Sequence, residues 1–165
     1  MTEDLRYPIG SYAPQPFSHK QKEAWLFDIK FLPGELEVAV QNLDAHRLET
    51  PYREGGWTVH QLVHHVADSH MNAYIRFRLG LTEENPTIRP YEEKEWAKLN
   101  DVKTLPINVS LTLLHALHQR WYATIKDLSG KQCCRLSLPK ALCLSLRLRC
   151  PPWCWHSLLP VLPRL

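Results

Sequence analysis

The chain has 165 residues, 44% of them hydrophobic, and a formal net charge of +3. That length suits one domain able to bury a core without disulfides or a structural metal. No apolar run approaches membrane-spanning length and the start, MTEDLRYPIG, lacks a signal-peptide core, so a cytoplasmic protein with no membrane association is expected.

Residues 7–17 (YPIGSYAPQPF) carry proline and glycine and read as an extended arm. Ser18 is placed to cap a first helix, with Ala24, Trp25, Ile29 and Leu32 at helical spacing. Pro33-Gly34 interrupts that pattern, which resumes at Leu36, Ala39, Val40 and Leu43. A proline removes one helix hydrogen bond, so residues 18–45 form either one kinked helix or two short ones. Residues 50–57 (TPYREGGW) make a loop. Thr58 and Gln61 then have the spacing of a capping box, predicting a helix over 58–81. Its buried stripe is Val59, Leu62, Val63, Val66, Ala73, Tyr74 and Phe77. A proline-containing loop follows, then a short helix within 92–100 around Trp96. Ser110 is the expected cap of a third long helix over 110–129, with Leu113, Leu114, Leu117, Trp121, Ile125 and Leu128 on one face and Gly130 at its end.

From Lys131 onward the composition changes. Residues 1–130 hold 14 Lys and Arg against 17 Asp and Glu; residues 131–165 hold six basic residues and no acid. The basic balance of the whole chain is therefore a property of its tail, and a nucleic-acid partner is not expected. The tail also holds all five cysteines (Cys133, Cys134, Cys143, Cys150 and Cys154), ten leucines and five prolines. An odd cysteine count without CxxC spacing is no zinc motif, and reduced thiols are expected inside a cell. Residues 142–148 alternate like an edge strand, and the later prolines forbid a regular helix. The loss of every acid, with enrichment in Leu, Arg, Pro, Cys and Trp, fits a segment read out of frame better than it fits a strand. The expected organisation is a helical domain over 1–130 and a divergent, irregular tail over 131–165.

Residues 7–10 (YPIG), 50–81 (TPYREGGWTVHQLVHHVADSHMNAYIRFRLGL), 82–96 (TEENPTIRPYEEKEW) and 113–121 (LLHALHQRW) resemble the YfiT group of the DinB-like superfamily. The resemblance spans about residues 7–128. It implies an all-α, up-and-down four-helix bundle and a cytoplasmic homodimer. It also implies a divalent metal, zinc or nickel, held by three histidines. Two activities go with it: metal-dependent hydrolysis of a small-molecule substrate, and transfer of a small thiol such as bacillithiol. The second histidine of the HH pair is a ligand in that family, which maps onto His65. The other two ligands come from a WHxxxH-like motif on the fourth helix. Here the chain reads Trp155-His156-Ser157-Leu158-Leu159-Pro160. His156 matches the first of that pair, but Pro160 stands where the second belongs. The fourth helix is thus expected to be missing or disrupted, leaving a weakened or non-catalytic site.

The remaining histidines admit a second arrangement. His60 and His64 are four apart on one helix face, with Asp68 a turn further, which is clamp spacing for a metal. None of the three lies on the apolar stripe, so a solvated polar face is the expected reading. Asp68 is alternatively placed to orient an imidazole. His115 and His118 are read as exposed or packing residues. Trp57, Trp96 and Trp121 are read as core and loop anchors. Arg76 and Arg78 have the charge to steer an anionic thiol cofactor, but lone helix arginines are usually solvated, so neither is assigned a role.

Overall fold

A computed structural model describes residues 18–130, 132 and 133. The arm over 7–17, nearly all of the tail, and with them His156 and the fate of the fourth helix, lie outside the described residues. Among the described residues six helices follow in order: α1 His19–Val40, α2 Ala45–Leu48, α3 Val59–Thr82, α4 Glu93–Trp96, α5 Asn100–Thr104 and α6 Ile107–Ile125. No strand occurs among the described residues; a single isolated bridge joins Pro51 and Thr58. The protein is an all-α bundle whose three long helices are α1, α3 and α6. α6 packs against both α1 and α3.

Local signals set two of the helix starts. Ser18 accepts from the Gln21 N–H. Thr58 and Gln61 form the complete capping box, each side chain bonding the other's backbone N–H. α6 departs from expectation. It begins at Ile107 behind Pro106, and Ser110 lies inside the helix, buried rather than capping. Gly130 does not end it either; the helix stops at Ile125. The carbonyls beyond that end are taken by Lys22 of α1, whose Nζ donates to Lys126 O (3.0 Å) and Leu128 O (2.7 Å). A cation at a helix C-terminus also matches the negative end of its dipole.

Pro33 does not break α1, which runs through it without interruption. The core explains why. Leu32, Leu36 and Val40 of α1 interlock with Leu62, Val63 and Val66 of α3 and with Leu111 and Leu114 of α6. Each such side chain contributes about 1.5–3 kcal/mol when fully buried, enough together to offset the roughly 3 kcal/mol that an interior proline costs. A second cluster of Tyr74, Leu117, Trp121 and Ile125 fills the other end of the bundle. Leu113, expected on the buried face, is 41% exposed, while His118 takes a core position at 1%.

A candidate metal site and its histidine network

The loop before α3 aims an aromatic ring at the candidate ligand. Tyr52 N–H donates to Trp57 O (3.1 Å), closing a tight turn in which Gly55 takes φ +63°, a left-handed conformation suited to glycine. The Trp57 ring then lies 4.5 Å from that of His65. His65 is 5% exposed and faces the interior. Burial lowers its pKa to about 4, so the imidazole is neutral at physiological pH. A neutral imidazole has a lone pair to give, which is the state a metal requires.

His60 and His64 do not form the alternative clamp. Both Nε2 atoms donate to one acceptor, Leu105 O, at 3.1 and 3.2 Å. A carbonyl only accepts, so both Nε2 atoms carry hydrogen and offer a metal no lone pair there. His64 Nδ1 in turn accepts from the Ser110 hydroxyl at 2.8 Å. His64 is 6% exposed, which corrects the expectation of a solvated face. Its pKa is lowered, first by burial and then by His60. These residues tie the joint between α5 and α6 to α3. Leu105 N–H donates to Asp101 O and Pro106 O accepts from Val109 N–H, and the two imidazoles satisfy the remaining Leu105 carbonyl. Asp68 lies one turn beyond His64 on α3. Burial, then Asp101, pushes its carboxyl up to about 6.

A second histidine pair was not legible as a unit in the sequence. Pro33 has no N–H, so the Ile29 carbonyl, four residues back, loses its helical donor. His118 Nδ1–H donates to that oxygen at 2.7 Å. With Nδ1 protonated, the neutral His118 accepts at Nε2, and His70 Nδ1 lies 2.7 Å from it. His70 must therefore donate from Nδ1, which leaves its lone pair on Nε2. Both are held neutral. Burial, then His118 and His65, lowers the His70 pKa to about 3; burial lowers that of His118 to about 4. The signal available in the sequence was the helix-interior proline, which announces an orphan carbonyl, but nothing local says what would satisfy it. Around this pair Trp121 packs edge-on to His70, Tyr74, Phe77 and His118.

His46 sits exposed on α2, and His115 is exposed beside Glu37 at 3.0 Å. Trp57 packs on the first core cluster, Trp121 belongs to the second, and Trp96 lies against Tyr91 in the loop region. No group of three or more His, Cys, Asp or Glu side chains converges on a point among the described residues. No described helix is long and apolar enough to cross a membrane.

Comparison with known proteins places this architecture. The model of the DinB superfamily matches residues 29–138. The chain belongs to the DinB superfamily. It is 56% identical over 119 residues to a protein of Bacillus cereus (strain AH820), covering 72% of this chain and 68% of the relative. A protein of Bacillus anthracis (strain A0248) matches with the same figures, and both are provisionally named metal-dependent hydrolase. The chain is also similar to the solved structure of YfiT from Bacillus subtilis. The TM-score is 0.84 at 42% identity, over 98% of this chain and 95% of that one. That protein is described as a probable metal-dependent hydrolase with an unusual four-helix bundle topology. The family and the all-α bundle expected from the sequence motifs both hold.

Proposed function

We propose that this chain is built for metal-dependent hydrolysis, with His65 one ligand to a divalent cation, zinc or nickel. One observation carries the reading. His65 is a buried, neutral imidazole on the inner face of α3, in a superfamily whose members here bear metal-dependent hydrolase names. Among the described residues no three such side chains converge, and His65 is the one that the family motif selects. The resemblance of Trp155-His156 to the family's last motif gives His156 as a second ligand, and Pro160 stands where a third would be.

When held by three imidazoles, such a metal keeps an open position and brings the pKa of a water bound there to near neutrality. His65 would serve as a neutral imidazole, the protonation state that a metal ligand needs. Trp57 serves by packing on the His65 ring, which limits its rotation and keeps bulk water from that side. Thiol transfer is the alternative chemistry for the same open position, which binds a thiol as its thiolate. With Pro160 where the third histidine belongs, the site would have one protein ligand fewer, and weak binding with poor turnover is the expected consequence.

Calorimetric titration of the metal-stripped chain with zinc, then nickel, tests this. Weak binding that disappears in His65→Ala is expected. A stoichiometric site of submicromolar affinity, also lost in His65→Ala, would keep the ligand and overturn the weakness. Binding unchanged in His65→Ala would remove His65 from the site. Isotope-labelled water separates the chemistries: hydrolysis places its oxygen in the product, and thiol transfer does not.

A further inference from the structure

Arg76 is the most unusual charge in the described part of the molecule. It lies on α3 at 5% exposure. A buried cation is normally paired, because desolvation costs more than a single neutral contact returns. Among the described residues the ion pairs are Lys98–Glu95, His115–Glu37 and Lys126–Asp127; none involves Arg76. Its guanidinium gives one hydrogen bond, from Nη2 to Arg89 O at 2.9 Å, and lies 6.0 Å from the Tyr91 ring centre. Burial lowers its pKa, opposed only by Tyr91.

An arginine has five N–H donors in a planar fork. Holding the Arg89 carbonyl uses one. The remainder is not sealed in protein: among the described residues the fully buried polar side-chain atom left without a partner is Trp121 Nε1. The unused fork is thus both desolvated and reachable. By contrast, Arg78 is exposed and donates to the Tyr74 hydroxyl, while Arg120, also exposed, lies over the same ring.

Position adds a second argument. Residues 65, 69, 72 and 76 follow one another by four, three and four, so they lie along one face of α3. His65, Ser69 and Arg76 on that line are all buried. Eleven residues of helix separate the Cα atoms of His65 and Arg76 by about 16 Å, and helical side chains lean toward the N-terminus, which brings the guanidinium nearer His65. A polar line with an imidazole at one end and an unpaired guanidinium at the other suits an elongated ligand with an anionic end.

We propose that Arg76 binds the anionic group, a carboxylate or a phosphate, of a ligand that extends along α3 toward His65. The planar fork matches either group through two parallel hydrogen bonds. That the far end meets a metal rests on the reading of His65 given above; the anion site itself does not.

The test uses the full chain, stripped of metal and titrated separately with inorganic phosphate and with succinate. Calorimetry follows binding, and NMR follows the Arg76 Nε–H resonance. One saturable site that shifts this resonance is expected. Arg76→Met should abolish it, and Arg76→Lys, which keeps the charge but not the fork, should weaken it about tenfold or more. Tighter phosphate or tighter succinate each supports the site and says which anion it prefers. Neither anion moving the Arg76 resonance would overturn the proposal, as would binding unchanged in Arg76→Met. If Arg76→Met fails to fold, the wild-type resonance and Arg76→Lys still decide. His65→Ala should leave anion binding intact, so failure of the metal reading is distinguishable from failure of this one.

Discussion

The contact between His118 and the Ile29 carbonyl gives a sharp test of how α1 tolerates Pro33. His118→Leu keeps most of the packing volume but removes both hydrogen bonds of the imidazole. Two buried polar groups then lack partners, the Ile29 carbonyl and His70 Nδ1–H. At about 1–3 kcal/mol each, the expected cost is about 2–6 kcal/mol. Pro33→Ala restores a backbone N–H four residues after Ile29. In the wild type that donor competes with His118 for an oxygen already satisfied; in His118→Leu it rescues an orphan. Pro33→Ala should therefore be more favourable in the His118→Leu background than in the wild type, by about 1–2 kcal/mol. Urea unfolding of the four variants, followed by far-ultraviolet circular dichroism, measures this difference directly. Additive effects, with a coupling below about 0.5 kcal/mol, would refute the idea that His118 serves the carbonyl Pro33 leaves free.

Two further predictions concern pH. His118, with a folded pKa of about 4 against 6.5 unfolded, is favoured neutral by folding, so its contribution is complete above about pH 6.5 and is lost as pH falls toward 4. By pH 5 the loss is about 2 kcal/mol, and the urea midpoint should be correspondingly lower at pH 5 than at pH 7.5; equal midpoints would contradict a buried neutral imidazole. Asp68 has the opposite sign: its folded pKa, raised to about 6 from 3.8, makes its ionised form a burden above that pH. Asp68→Asn should thus stabilise the protein at pH 7.5 by about 1 kcal/mol after discounting for partial exposure, and the gain should vanish near pH 4. A destabilised Asp68→Asn at pH 7.5 would show that the carboxylate has a partner the burial argument ignores.

The sequence alone determined the features that act within a few residues or repeat along a helix. Ser18 and Thr58 cap helices because the groups they bond lie three residues away, and the apolar stripes of α1 and α3 follow from helical period. The family was likewise legible, because its motifs are contiguous in the chain. Tertiary structure decided which distant polar groups meet. Ser110 has a cap's chemistry, but His64, 46 residues away, claims its hydroxyl inside the core. Pro33 has a breaker's chemistry, but α1 continues because its neighbours are buried on both sides and His118, 89 residues from Ile29, takes the freed carbonyl. Arg76 looks like any helix arginine until folding buries it beside the Arg89 carbonyl without an acid. Local propensity is set by neighbours in the chain, whereas the satisfaction of a buried polar group depends on whatever the packed helices bring within 3 Å or so of it.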